Sequence, residues 1–330
     1  MTPPIDHYHR PIDYLRVSIT DRCNLRCVYC VPATGVHKLS HHDILTYEEL
    51  LRLTRIALDM GISKVRLTGG EPLVRKGVID FCQRLARLPG LDSLSLTTNG
   101  VLLEQFCSDL YHAGMRRINI SLDTLQPEKF ARITRFDLFE QVWRGIRAAE
   151  QIGFAPIKLN VVVMRGINDD EIVELAQLTT RHAFHVRFIE FMPLTTDDTW
   201  VRRHYVSADE ILATLSGRGP LEKITVEHTN GPARHFRWAD APGVIGIISP
   251  ISHHFCPSCN RIRLTADGNL RNCLFSDHEV DIKSAMRQGA TDSELAAILR
   301  QSIAEKPKNH FLQSDLFHKC HSRPMVAIGG

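Results

Sequence analysis

The sequence predicts an α/β protein built around a parallel sheet. Between residues 14 and 191, short runs rich in β-branched residues alternate with helical patterns, and turn residues mark the changes. Stacked strand–helix–strand units have that signature. The strands expected in order are Tyr14 to Thr20, Lys64 to Thr68, Ser93 to Thr98, Arg117 to Leu122, Ile157 to Val163 and His185 to Phe191. The helix after the first strand opens on Thr46-Tyr-Glu-Glu49, a capping-box sequence, and stops at Gly61; Gly114 and Gly153 end later ones. Six strands are too few to close an eight-stranded barrel, and periodicity alone does not separate an open sheet from a partial barrel. After a capped helix near Ser207 to Leu215 the pattern changes to hairpin-like segments with turns at Asn230-Gly231 and Asp267-Gly268. A second, mixed region is therefore expected from residue 216. There is no internal repeat, low-complexity tract or long linker.

Composition narrows the function classes. At 330 residues, 43% hydrophobic and 23% charged, the chain is one large domain or two ordinary ones, not a disordered, collagen-like or coiled-coil sequence. No apolar run reaches the ~18 residues of a membrane span. Forty Lys and Arg against thirty-seven Asp and Glu leave +3, too balanced for a non-specific nucleic-acid binder. Thirty of the forty cations are Arg, which suits phosphate binding, but codon bias explains the same count. The start, MTPPIDHYHRPIDYL, lacks the apolar stretch of a secretory signal, so a cytoplasmic chain with reduced thiols is expected. Its clustered cysteines then point to metal or catalysis. Of nine, Cys23, Cys27 and Cys30 form one group and Cys256, Cys259 and Cys273 another, while Cys82, Cys107 and Cys320 stand alone and read as bystanders.

The first group, Cys23-Asn-Leu-Arg-Cys27-Val-Tyr-Cys30, lies in the loop leaving the first strand, where α/β folds place their sites. Three thiolates leave a metal centre one ligand short. Zinc would take a fourth residue, with His7, His9, His37, His41 and His42 near in sequence. An iron–sulfur cluster would instead keep one iron open to a ligand. Spacing leaves both readings standing. The second strand then runs into Gly69-Gly70-Glu71-Pro72, a backbone stripped of side chains where a ligand would approach; alone, it would read as an ordinary glycine turn.

Together the two motifs resemble the radical S-adenosylmethionine superfamily, marked by C-x3-C-x2-C in the first strand–helix loop and a GGEP-type segment after the second strand. The resemblance implies a six-stranded partial (β/α)6 barrel over residues 7–215. It also implies a 4Fe-4S cluster on Cys23, Cys27 and Cys30, whose open iron is chelated by S-adenosylmethionine. Tyr29, Gly70, Ser121 and Met192 would touch that cofactor. From the residues alone, Met192 is an apolar side chain at a strand end, and core packing is its default reading.

The second group, Cys256-Pro-Ser-Cys259-Asn-Arg261-Ile-Arg263 with Cys273 beyond it, is again one ligand short. In isolation it favours zinc completed by His253, His254 or His278. Arg261 and Arg263 alternate about Ile262, so an extended segment turns both to one face. Two Arg beside an incomplete metal site make an anion-binding pair, although either one singly reads as a solvated strand residue.

The stretch HFCPSCNRIRLTADGNLRNCLF, with FIEFMP upstream and Gly329-Gly330 at the end, is similar to the GTP 3',8-cyclase family of molybdenum cofactor biosynthesis. The likeness runs from Tyr14-Leu-Arg16 to the last glycine. It implies a second 4Fe-4S cluster on Cys256, Cys259 and Cys273, in the region 216–330, whose open iron meets the guanine of GTP. The implied GTP contacts are Arg16, Arg66, Thr97, Lys158 and the Arg261, Ile262, Arg263 segment. In the implied reaction a 5'-deoxyadenosyl radical takes the C3' hydrogen of GTP, and C3' then closes onto C8. Implied partners are a flavodoxin-type electron donor, a second copy of the chain, and the cyclic pyranopterin monophosphate synthase that receives the product. The expected role of Gly329 and Gly330 is to thread into the barrel and position substrate or cofactor. One departure is the loop Thr134-Arg-Phe-Asp137, which lacks a glycine that relatives often carry. A peptide-modifying maturase would carry more Cys toward the end of the chain, and a non-enzymatic zinc or electron-transfer protein would leave GGEP idle.

Overall fold

The computed structural model describes residues 2–32, 35–36, 38–192, 198–226, 231–239, 241–310 and 323–329. His37, Asn230, Cys320 and Gly330 lie outside the described residues. The six expected strands form as β1 (Tyr14–Ser18), β2 (Lys64–Thr68), β3 (Ser93–Thr98), β4 (Arg117–Ser121), β5 (Ile157–Val163) and β6 (His185–Glu190). They pair in chain order, all parallel. Alternation along each strand sorts its side chains. Leu15 and Val17 of β1, Val65 and Leu67 of β2 and Val186 and Phe188 of β6 turn outward into one continuous apolar core beneath the helices, while Arg16, Arg66 and Arg187 line the interior.

The connecting helices Tyr47–Asp59, Val78–Ala86, Leu103–His112, Phe139–Ile152 and Ile172–Arg181 bury one apolar face each on that sheet. Their ends follow the local signals. Thr46 Oγ1 accepts from the Glu49 amide at 3.2 Å and Glu49 Oε2 accepts from the Thr46 amide at 2.7 Å, so two otherwise orphaned donors are satisfied. Ser207 and Glu210 repeat this box before the helix Ala208–Ser216.

Among the described residues, the region after residue 216 extends the same sheet at both edges and forms no separate one. It contributes β7 (Leu221–Ile224), β8 (Arg234–Trp238), β9 (Val244–Ile248), β10 (Arg261–Leu264), β11 (Asn269–Arg271) and β12 (Val280–Asp281). β9 pairs parallel with β6, and β10 pairs parallel with β1, so eight parallel strands run side by side where six were expected. Open edges of a parallel sheet carry unpaired N–H and C=O groups, and these two strands satisfy them. Antiparallel β8 and β7 follow β9; antiparallel β11 and β12 follow β10. The Asp267-Gly268 turn joins β10 to β11 as expected. Because β9 and β10 stand at opposite ends of the parallel series, the barrel stays partial. Residues 249–260, which carry Cys256 and Cys259, bridge from one edge to the other.

Candidate active site

A cavity of about 300 Å³ occupies the barrel interior, and both three-cysteine groups line it. On one side the loop after β1 brings Cys23, Cys27 and Cys30 to the wall. Burial pushes all three thiols up, Cys30 to about 12. The Leu25 amide donates to Cys23 Sγ at 3.4 Å and Asn99 Nδ2 donates to it at 3.7 Å. The GGEP segment is pinned beside this loop. Gly70 N donates to Thr20 O at 2.7 Å and Glu71 N to Arg22 O at 2.8 Å. A Cβ on Gly70 would stand 2.3 Å from Arg22 O, so only a bare backbone makes this approach. The buried Glu71 carboxylate accepts from Thr98 Oγ1 at 2.8 Å, Leu73 N at 3.0 Å and Asn99 N at 2.6 Å. Burial lifts it to about 7. Tyr29 donates its hydroxyl to Asp123 Oδ2 at 2.7 Å, and Val162 N donates to Asp123 Oδ1 at 2.8 Å; burial raises that carboxyl to about 6.

The interior wall is cationic. Arg16, Arg66, Arg187, Arg261 and Arg263 line the cavity, and Lys158 stands two residues before Asn160 on the same face of β5. Burial, then Arg187, Arg66 and Arg117, lower Lys158 to about 6. Burial and Arg66 lower Arg187 to about 9; burial and Arg261 lower Arg263 to about 9. Among the described residues the inward Arg187 Nε, Asn160 Oδ1 and Thr97 Oγ1 are buried with no hydrogen-bond partner. Buried cations that repel one another, beside unsatisfied polar atoms, are costly by themselves and suited to a polyanionic ligand.

The second group forms the opposite wall. Cys256 opens a single 3-10 turn, Cys259 precedes β10, and Cys273 follows β11. Burial works to raise the Cys259 thiol, but Arg261 and Lys306 outweigh it and bring it down to about 6. Arg261 also donates toward Cys259 Sγ at 3.9 Å. Among the described residues no three His, Cys, Asp or Glu side chains converge on one metal-ion position. The thiols instead line a space, and three soft sulfur donors around it suit an iron–sulfur cluster.

Residues 323–329 pack beside this cavity, and one of them reaches its wall. Arg323 anchors them through Asp267 at 2.6 Å and Glu279 at 2.9 Å. Met325 lines the cavity, the Val326 backbone hydrogen-bonds Cys30, and Gly329 O accepts from Arg263 at 3.0 Å.

Most residues expected at the site meet in this one cavity: the six cysteines, Tyr29, Gly70, Ser121, Met192, Arg16, Arg66, Thr97, Arg261 and Arg263 all line it. Lys158 and Gly329 are not among its lining residues, and neither is Ile262. The Ile262 side chain is 1% exposed and packs in the core, because the alternation that turns its two Arg neighbours inward turns it out. Arg187, Asp123, Asn99 and Lys306 line the cavity without having been singled out. Period-two alternation on β6 was a usable signal for Arg187; Lys306 had none, since it follows a helix near no motif.

The fold and the three-cysteine loop define a radical S-adenosylmethionine protein: the model of the Radical SAM superfamily matches residues 17–179, and that of Molybdenum Cofactor Synthesis C matches residues 184–312. SuiB of Streptococcus suis, solved bound to its precursor peptide SuiA, shares the fold with a TM-score of 0.61 at 14% identity, over 90% of this chain and 65% of that one. The chain belongs to the GTP 3',8-cyclase family. It is 48% identical to the GTP 3',8-cyclase of Thermodesulfovibrio yellowstonii and 50% identical to that of Moorella thermoacetica, in each case over 98% of this chain and 99% of the relative. Among the described residues no helix is long and apolar enough to cross a membrane.

Proposed function

We propose that this chain cyclises GTP to 3',8-cyclo-7,8-dihydro-GTP, the first step of molybdenum cofactor biosynthesis, in the cavity between its two cysteine groups. One observation carries the reading: both groups line a single cavity, and its wall carries Arg16, Arg66, Arg187, Arg261 and Arg263, whose charges repel one another. Cys23, Cys27 and Cys30 would hold one 4Fe-4S cluster, and Cys256, Cys259 and Cys273 a second. When bound, the first cluster and S-adenosylmethionine supply the electron and the hydrogen-abstracting 5'-deoxyadenosyl group.

The chain's own task is placement. Tyr29, Gly70, Ser121 and Met192 would orient S-adenosylmethionine beside the first group. Arg16, Arg66, Lys158 and Arg187 would neutralise the triphosphate, with Thr97 as a further contact. Arg261 and Arg263 would align the guanine end against the second group. Holding C3' and C8 of one nucleotide in register replaces an improbable encounter by a fixed geometry. Leu274, Phe275 and Met325 give the cavity an apolar flank that limits water near the reacting carbon. Gly329, bonded to Arg263, is read as part of this positioning. Gly330, outside the described residues, is carried with it.

We read residues 7–215 as the radical S-adenosylmethionine barrel and 216–330 as the region of the second cluster. The same reading includes a cytoplasmic location, a flavodoxin-type electron donor, a homodimer, and delivery of product to cyclic pyranopterin monophosphate synthase; family membership supports these. The test is anaerobic incubation with GTP, S-adenosylmethionine and a reductant, followed by mass analysis. A product isomeric with GTP is expected, and its absence from cluster-loaded protein overturns the proposal.

A further inference from the structure

The three cysteines of the second group sit on two pieces of backbone: Cys256 and Cys259 open and cap one 3-10 turn ahead of β10, and Cys273 follows β11. Two buried cations from outside the group tie these pieces together. Arg10, 5% exposed, is held by Asp6 at 2.5 Å and donates to Cys256 O at 2.8 Å. It also donates to the carbonyls of Pro307 at 2.7 Å, Lys308 at 3.1 Å and Lys306 at 3.4 Å. Lys306, 4% exposed, donates from Nζ to Arg261 O at 2.9 Å and to Asn272 O. Those carbonyls lie two residues after Cys259 and one before Cys273. No carboxylate pairs with Lys306 among the described residues; burial works to lower its ammonium, and the neighbouring Cys259 and Cys273 sulfurs work against that.

We propose that Arg10 and Lys306 form a two-cation clasp that fixes the relative placement of Cys256, Cys259 and Cys273, and that the Lys306 charge raises the reduction potential of the cluster they hold. The proposal rests on the reading of a second cluster at that group. Outer hydrogen bonds orient ligands, and nearby charge tunes a cluster's potential. A cation favours the more negative, reduced form, so removing it lowers the potential. Both are positioning residues that act through the ligand backbone.

The test uses the full chain, reconstituted anaerobically, with iron and sulfide analysis and a reductive titration followed by electron paramagnetic resonance. A Cys256, Cys259, Cys273→Ser variant assigns the second-site signal. Lys306→Gln is expected to shift the second-site reduction equilibrium at least tenfold toward the oxidised form, about 59 mV for one electron, with the first site unmoved and Lys306→Arg restoring it. If Lys306→Gln sheds second-site iron alone and Lys306→Arg recovers it, the clasp is equally upheld. Arg10→Gln is expected to lower second-site iron while the first site stays loaded. Full iron in Arg10→Gln together with a parent-like second-site potential in Lys306→Gln overturns the inference. So does an equal change at both sites. A parent holding about four irons, unaltered by the triple variant, overturns the two-cluster reading and the clasp with it; about eight irons with an insensitive Lys306 and Arg10 overturns the clasp alone.

Discussion

Lys158 shows what the barrel interior demands of a single side chain. At 8% exposure and facing Arg187, Arg66 and Arg117, it is lowered to about 6, so the ligand-free protein holds it neutral above that pH. A triphosphate beside it would restore its proton. GTP binding should therefore take up a proton, and affinity should fall as pH rises above about 6, by up to about tenfold per unit for one proton. Calorimetry in buffers of different ionisation heat reads this directly; Lys158→Met should remove the dependence. The unfolded chain keeps this proton to about 10.4, so the stability of the ligand-free parent relative to Lys158→Met should rise with pH between about 6 and 10.4. Arg187→Ala would remove the charge-assisted hydrogen bonding proposed to the triphosphate, worth about 1.5–3 kcal/mol per bond, and should weaken GTP binding by about tenfold or more. Unchanged affinity in equilibrium binding would remove Arg187 from the triphosphate contacts. The inward direction of Arg187 was readable from alternation on its strand, but that its Nε finds no hydrogen-bond partner among the described residues was not, because partners come from other strands.

At the scale of elements, two glycine segments close the site. The bareness of Gly69-Gly70 was legible in the sequence; what it approaches was not. A methyl carbon added at Gly70 would stand 2.3 Å from Arg22 O and 3.0 Å from Val326 Cγ2, so Gly70→Ala must push the segment off the first cysteine loop. Overpacking of this kind costs about 1–3 kcal/mol. A lowered melting temperature and loss of S-adenosylmethionine cleavage are expected together, measured by calorimetry and by 5'-deoxyadenosine release. Gly329 adopts φ +73°, and a Cβ there would lie 2.8 Å from Ser18 Cβ and 2.9 Å from Thr68 Oγ1. Gly329→Ala should thus displace the segment that Arg263 holds. Cluster content and GTP affinity should stay nearly unchanged while cyclised product is lost; turnover at the parent rate would leave these residues without a catalytic part.

For the whole molecule, the decisive feature is that β9 and β10 add to opposite edges of the sheet. Residues 249–260 must then bridge the barrel mouth, and the second cysteine group faces the first across one cavity. Reconstituted protein should hold about eight irons, four per cluster, and the Cys256, Cys259, Cys273→Ser variant about four. That variant should still cleave S-adenosylmethionine slowly while losing GTP, since the two walls have separate tasks. Cleavage lost with GTP binding intact would reverse the assignment.

The six barrel strands, the helix caps at Thr46 and Ser207 and both cysteine groups were determined by the sequence itself, because each depends on residues within a few positions of one another. Alternation, caps and ligand spacing are local physics. The tertiary structure alone decided that the late region joins the same sheet and that the two cysteine groups share a cavity. It also decided that Ile262 turns into the core while its neighbours line the site, and that Arg10 and Lys306 meet behind Cys256 and Cys273. Each of these depends on which strand edges were left unpaired and which buried carbonyls needed a donor. Such pairings join residues up to 298 positions apart, as Arg10 and Lys308 are, and no local pattern records them.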